Sequence, residues 1–213
     1  MNLEPYISQI LESYGKGVYY EEIRRAKEYY FSRAIKVAEG SDRYEAQLNQ
    51  FFDWFVFERN LEREELPPIR VFIRESLKNI KDEKVLKVFE GLGNSVSSVF
   101  ELLKIKDNEA SIRDLYDREE YLIEDIENPK IFQKGDVFQA RIVPVESKIL
   151  FSQAFQFHPK EAKSFLNKEI KKTKNLKEVH KKELMLKLSL MKHRSEQYPH
   201  IDAAHIYSDK PVI

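Results

Sequence analysis

The first 93 residues repeat apolar side chains every three or four positions, the spacing of amphipathic helices. Ile7, Ile10 and Tyr14 share one helical face, and a second stripe predicts a helix over residues 19–39. Ser41 or Asp42 suits the N-cap of the next helix. Later in this region the Pro67-Pro68 pair breaks the chain and begins another helix. The pattern therefore predicts an N-terminal region of four or five helices.

The run FFDWFVFERNL, from Phe51 to Leu61, is the densest apolar segment, with seven large apolar side chains among eleven residues. Such a block cannot face water in a monomer without forming a large adhesive patch. It predicts either the seam of a core or a docking surface. Asp53 is the acid embedded in this run, and both a structural pairing and an acid–base role are open to it.

After Gly93 the apolar period changes from about 3.6 to about 2, which indicates strands. Five short segments alternate in this way, including residues 137–145 and 149–157, and tight turns separate them. Small antiparallel sheets of this size tend to curl into barrels that hide their edges. The sequence therefore predicts a five-stranded antiparallel small barrel, SH3-like or OB-like, over residues 94–158.

His158-Pro159 ends this segment, and the helical period returns. Two basic helices are predicted over residues 159–194, the second capped by Asn175 with Glu178 and burying Val179. Residues 195–213 are predicted to be an irregular tail. The fold class is thus α+β, with an N-terminal helical region at 1–93, the barrel, and a C-terminal basic helical pair.

The composition sets limits on function. The chain of 213 residues has no cysteine, so disulfides, thiolate zinc sites and cysteine nucleophiles are excluded. No stretch approaches the roughly 18 apolar residues of a membrane span, and no signal peptide is visible. These features predict a soluble cytoplasmic protein that does not contact membranes, and no motif predicts a cofactor.

Zero net charge conceals an uneven distribution. Residues 158–194 contain twelve Lys or Arg against four Asp or Glu, whereas the rest of the chain is acidic. The basic helices either pair with the acidic body, bind a polyanion such as RNA or DNA, or are merely solvated. The cations proposed to contact a partner or a nucleic acid are Lys168, Lys171, Lys172, Lys174, Lys177, Lys181, Lys182 and, in a strand at an outward or edge position, Arg141.

Aromatic side chains of the predicted barrel offer a stacking surface for bases, as single-stranded nucleic acid requires. These residues are Tyr116, Tyr121, Phe138, Phe151 and Phe155. A different chemistry is suggested by His200, Asp202 and His205, which form an H-x-D-x-x-H pattern able to hold Zn²⁺ or Ni²⁺.

The order of elements resembles an uncharacterised bacterial domain family. Its best-matching pieces are the run Phe51-Phe52-Asp53-Trp54-Phe55 and GDVFQARIVP at residues 135–144. The resemblance covers about residues 49–159 and implies helices followed by a small β-barrel, sometimes beside SEC-C zinc-binding motifs. This chain has no cysteine to form such a motif. The family's function is not settled, so the resemblance implies a fold and no activity.

Three classes of function are therefore open. The first is a non-enzymatic binding or scaffold protein that recognises a protein partner or another copy of itself. The second is an RNA- or DNA-binding module that uses the lysine-rich helices and the barrel. The third is an enzyme of unidentified class, which no nucleophile motif or carboxylate pair in the sequence supports.

Overall fold

The structure, a computed structural model, describes residues 1–33, 40–152 and 154–210. The described part has the α+β fold that the sequence predicted, with eight α-helices and six strands where five strands were expected. The helices are α1 (Glu4–Tyr14), α2 (Tyr20–Arg33), α3 (Asp42–Phe57), α4 (Pro68–Ser76), α5 (Glu83–Gly93), α6 (Lys163–Thr173), α7 (Glu178–Gln197) and α8 (Ala203–Ile206). The strands are β1 (Val96–Lys106), β2 (Glu109–Asp114), β3 (Glu120–Ile123), β4 (Val137–Val145), β5 (Lys148–Phe151) and β6 (Gln156–His158).

The chain divides into two compact units. Unit 1 consists of Met1–Val96 and Ile142–Ala154, and unit 2 of Ser97–Arg141 and Phe155–Ile213. Neither unit is a single stretch of chain, because β4 belongs to unit 2 in its first half and to unit 1 in its second. The four regions predicted from the sequence have other bounds, and their independence as domains stays a prediction.

Local signals set the helix ends of unit 1. Ser41 caps α3, since its hydroxyl accepts a hydrogen bond from the Tyr44 amide at 3.3 Å. Asp82 caps α5 in the same way through the Lys84 amide at 2.9 Å. Pro68 occupies the first position of α4, where its missing N–H costs no helical bond. The predicted helix over 19–39 is confirmed as far as Arg33, and residues 34–39 lie outside the described residues.

The aromatic run on α3 is a core seam. Phe51 and Phe55 are fully buried, and Leu61 is 1 % exposed. Phe51 packs edge-on against Tyr30 of α2, with ring centroids 5.6 Å apart. Trp54 is half-buried and also contacts Tyr30. The run therefore supplies the α2–α3 interface of unit 1 rather than an exposed docking surface.

The predicted change of period is confirmed, because α5 ends at Gly93 and β1 begins at Val96. The strands form an antiparallel, curled half-barrel in the order β3-β2-β1-β4-β5, with β6 also paired to β4. Within unit 2, β6 pairs with the first half of β4, and Val137 lies opposite His158. Within unit 1, β5 pairs with the second half, and Val143 lies opposite Leu150.

The strand predicted over 149–157 is wrong as a single element. It consists of β5 and β6 with a break between them, and residue 153 in that break is outside the described residues. The reason is that the two strands pair with different halves of β4. A period-2 pattern records alternation along one strand and carries no information about its partner.

The C-terminal helices supply the core of unit 2. Leu166 of α6 and Leu188 of α7 are fully buried, and Ile206 of α8 joins them. The predicted helical pair is confirmed, but two details are wrong. The N-cap of α7 is Lys177 without any side-chain hydrogen bond, so Asn175 does not cap it, and Val179 is 50 % exposed.

The tail predicted to be irregular is ordered within the described residues. The helix α7 continues to Gln197, and α8 follows with an Asp202 cap. Tyr207 is 3 % exposed, because its ring packs edge-on against Phe165 at 6.2 Å. In the described part of the chain, no helix is long and apolar enough to cross a membrane.

Candidate functional site

A cleft of about 160 Å³ opens in unit 1 between α1, α3 and the segment after β5. Its walls include Ile7, Phe52, Asn49, Asp53 and Ser152. The Ser152 hydroxyl donates to the Asp53 carboxylate at 3.5 Å, the outer limit of a hydrogen bond. No histidine is among the described residues that line the cleft, so it offers no Ser–His pair for nucleophilic catalysis.

Asp114 is the most completely buried acid of unit 2, with no exposed surface. Its carboxylate accepts hydrogen bonds from the Tyr116 amide at 2.7 Å and the Ser98 hydroxyl at 2.9 Å. Burial raises the pKa of Asp114 above its usual range, and these two bonds oppose the rise. Sequence reasoning missed this group, because an acid at a strand end ordinarily faces solvent. Its bonds fix the turn after β2, which is a structural role.

A second buried polar group attaches α7 and α8 to the sheet of unit 2. The His158 ring accepts or donates a 2.8 Å hydrogen bond through Nδ1 to the Tyr207 hydroxyl. Burial, aided by the nearby Lys192 ammonium, lowers the pKa of His158 to about 3. Burial also raises the pKa of Tyr207 above its usual range. Because neither side chain reaches solvent, the pair serves to hold the helices on β6.

Two of the predicted lysines are neutralised within the C-terminal segment. Lys168 lies 2.6 Å from Asp209, and Lys172 lies 2.5 Å from Glu169 and 3.5 Å from Asp209. Glu169 also accepts from Lys187 at 3.0 Å. These acids belong to the C-terminal helices and the tail and not to the acidic β segment.

Three further predicted cations are not exposed contacts. The ammonium of Lys181 lies over the ring of Tyr116, 4.8 Å from its centroid, which is a cation–π contact. Lys182 is half-buried. Arg141 is 3 % exposed, so its predicted outward or edge position is wrong. The pattern misled here because β4 is buried on both faces over residues 137–143 and does not alternate.

The remaining predicted lysines flank the turn between α6 and α7. Lys171, Lys174 and Lys177 are exposed, and in the described part of the chain no side chain forms an ion pair or hydrogen bond with their ammonium groups. Two apolar side chains in the same turn are also exposed, Leu176 by 53 % and Val179 by 50 %. These five residues are named here the turn surface.

The start of α7 adds hydrogen-bond donors to the turn surface. Lys177 occupies the N-cap position and no side chain caps the helix, so the amides of Glu178 and Val179 lack an internal acceptor, whereas the His180 amide donates to the Lys177 carbonyl at 2.9 Å. Helix N-termini carry a partial positive charge and favour carboxylates. Residues 171–179 contain four lysines and one acid, Glu178, so the net positive charge and the amide donors both favour the binding of a carboxylate.

The structure does not bring His200, Asp202 and His205 together as a metal site. Across the described residues, no group of three His, Cys, Asp or Glu side chains has a suitable arrangement. Asp202 instead accepts a hydrogen bond from the Ala204 amide at 2.8 Å as the cap of α8. His200 packs edge-on near Tyr198.

Two of the five aromatics predicted to stack on bases belong to the core, and Tyr121, Phe151 and Phe155 are half-buried. Phe138 is fully buried and stacks on Phe155 at 4.5 Å, and Tyr116 is 6 % exposed beneath Lys181. Tyr121 donates its hydroxyl to Glu119 at 2.8 Å, which places an acid beside that ring. The turn surface carries aliphatic side chains in place of these rings.

The profile of DUF7986, a family of unknown function, matches residues 7–191. The chain belongs to the DUF7986 family. No curated protein and no solved structure matches it significantly. The part that matches DUF7986 contains the cleft and the turn surface, whereas α8 and Asp209 follow it.

Proposed function

We propose that this chain is a non-enzymatic protein-binding module whose turn surface binds an acidic, partly apolar segment of another protein. The observation that supports this best is the pair Leu176 and Val179, each about half exposed, among three lysines without acidic partners among the described residues. Apolar side chains surrounded by cations match a partner that carries carboxylates around an apolar centre.

The choice of protein over nucleic acid rests on the same pair. Binding of single strands depends on exposed aromatic rings for stacking, with cations along the backbone. The turn surface has the cations but presents aliphatic side chains. Of the five aromatics predicted for stacking, Tyr116 and Phe138 are buried and the other three are half-buried. A nucleic acid would leave Leu176 and Val179 against water or sugar, whereas an apolar segment covers them.

The affinity attributable to the two apolar side chains follows from their exposed fractions. Full burial of a Leu or Val side chain contributes about 1.5–3 kcal/mol, and each has about half of its surface left to bury. The pair together then supplies about 2 kcal/mol, roughly a thirtyfold difference in Kd.

The test uses a fluorescein-labelled helical peptide of glutamate and leucine, followed by fluorescence anisotropy. The comparison ligands are a glutamate-only peptide and a single-stranded oligonucleotide of random sequence. We expect the leucine-containing peptide to bind most tightly, and L176S/V179S to weaken it about thirtyfold. The control is Leu122→Ser on β3, which is exposed to the same 50 % and lies outside the turn surface.

Two outcomes contradict the proposal. One is an oligonucleotide that binds more tightly than either peptide, with an affinity that falls steeply with salt. The other is unchanged peptide binding by the triple variant K171E/K174E/K177E. A concentration-dependent dimer in sedimentation that L176S/V179S abolishes would identify the partner as a second copy of the chain instead.

Three expectations accompany this proposal. We expect a cytoplasmic location, consistent with the lack of cysteine. The resemblance implies bacterial relatives, some of them with SEC-C motifs, and a sheet of the SH3-like or OB-like kind. Localisation by fractionation and comparison with an experimental structure of the sheet test the first and last of these.

A further inference from the structure

We propose that Asp209 is an internal ligand of the basic helices, and that the C-terminal segment thereby lowers the affinity of the chain for an acidic partner. This inference rests on the proposed function, since it assigns regulation to the same surface. One carboxylate reaches two lysines of α6, with Lys168 at 2.6 Å from Oδ2 and Lys172 at 3.5 Å from Oδ1.

The lysines that Asp209 occupies adjoin the turn surface. On α6, Lys168 is three residues before Lys171 and four before Lys172, so it neighbours both on the helix surface. An acidic partner that covers the turn surface through Lys171 therefore meets Lys168 at its margin. Asp209 and the partner's carboxylates compete for the same ammonium group.

The position of Asp209 is fixed by the residues that precede it. Ile206 is fully buried, and Tyr207 is held by its ring against Phe165 and by the 2.8 Å bond to His158. Asp209 follows that anchor by two residues, so its carboxylate reaches the lysines at little cost in chain entropy. Such tethering acts like a high local concentration of ligand.

The contact is nevertheless weak enough to be displaced. All three side chains are about half exposed, with values of 55 % for Lys168 and 51 % for Lys172 and Asp209. Exposed ion pairs are worth little, because water and salt compete with them. The hydrogen bond from Lys168 holds the pKa of Asp209 below its usual range, so the carboxylate stays charged at neutral pH. Asp209 therefore pairs with the two lysines, and the carboxylates of a partner can displace it.

The test is binding of the same glutamate–leucine peptide to Asp209→Asn at low and at high salt. Losing one internal competitor for two exposed lysines raises the affinity by about two- to fivefold at low salt. The control is Glu161→Gln, which removes one negative charge from an exposed site of unit 2 that no described lysine contacts. Asp209→Glu restores the carboxylate and returns the wild-type affinity.

The outcomes separate this inference from the proposed function. The role of Asp209 is overturned if the wild-type chain binds the peptide and D209N does not change the affinity, or if E161Q raises the affinity as much as D209N does. Either result leaves the proposed role of the turn surface intact. No binding by any variant overturns both. Thermal unfolding and the near-ultraviolet circular dichroism of the tyrosines, which include Tyr207, show whether α8 stays in place in D209N. If the affinity rises only because α8 has detached, the role assigned to the Asp209 ion pairs is also overturned.

Discussion

Gly91 on α5 packs so closely to β4 within unit 1 that a methyl group has no room there. A Cβ added at this position overlaps the Pro144 carbonyl oxygen, and lies 3.1 Å from the carbonyl carbon and 3.3 Å from Val145 Cγ2. A backbone carbonyl of a paired strand cannot rotate away as a side chain can. Gly91→Ala therefore forces a separation of α5 from β4.

The size of the effect follows from two opposing terms. Overpacking a core costs about 1–3 kcal/mol, and a clash with backbone belongs at the upper end. Ala gains up to about 1 kcal/mol over Gly in a helix interior, which offsets part of it. We expect a net loss of about 2 kcal/mol in the free energy of unfolding, or roughly 4–8 °C in Tm.

The matched control is Gly93→Ala, two residues along the same helix. Its Cβ would meet Ile73 Cδ1, the far end of a flexible side chain that can change rotamer. Urea unfolding followed by circular dichroism should show Gly91→Ala clearly destabilised and Gly93→Ala close to wild type. Equal midpoints for the two variants would refute the reasoning, because they would show that the α5–β4 approach does not constrain the fold.

Two further predictions concern unit 2. The pKa of His158 is about 3 in the folded chain, against an ordinary value near 6.5. Between these two pH values the unfolded chain binds a proton that the folded chain excludes. The free energy of unfolding therefore falls as pH drops from about 6.5 towards 3, by up to about 1.4 kcal/mol per pH unit. Urea midpoints measured from pH 7 to pH 4.5 should show this slope, and His158→Gln should reduce it; an unchanged slope would place the titrating groups elsewhere. Phe138→Ala, which empties a fully buried site among the rings of Phe100, Phe132 and Phe155, should cost about 3–5 kcal/mol in the same assay. Leu122→Ala, at a half-exposed site, should change stability by less than about 0.5 kcal/mol, and similar losses for both variants would show that the ring cluster is not a core.

The elements that the sequence predicted well are those whose signals are local. The Ser41 cap, the Pro68 start of α4 and the change of period before β1 each depend on residues within one or two turns of the chain. The dense aromatic run was expected to form a core seam or a docking surface, and the burial of Phe51 and Phe55 confirms the first alternative.

The errors concern features that depend on distant partners. Arg141 was expected outward, but every residue of β4 from Val137 to Val143 is buried, on both faces of the strand. Val179 was expected inward on α7 together with Leu184, Leu188 and Met191. Those three are buried, but Val179 in the first turn is 50 % exposed, because periodicity does not show where along a helix its packing begins. Residues 195–213 were expected to form an irregular tail, but α8 forms there and Tyr207 is buried. That burial depends on Phe165 and His158, which are far away in sequence.

For the candidate site, the sequence identified the lysines but not which of them form ion pairs. Which ammonium groups are neutralised depends on Glu169 and Asp209, and spacing alone could have suggested only the Glu169–Lys172 pair. The exposure of Leu176 had a usable signal, since it directly follows Asn175, a residue that favours turns and was expected to cap the second basic helix.

The division of β4 between the two units has a consequence for synthesis on the ribosome. Unit 1 needs residues 142–154 to supply the β4–β5 hairpin, yet the ribosome makes Ser97–Arg141 before that hairpin. The side of α5 that carries Gly91 therefore stays exposed in the nascent chain until the ribosome has made the residues up to Ala154. A fragment that stops at Val96 would keep this unfinished surface permanently, so we expect it to aggregate or to require a chaperone.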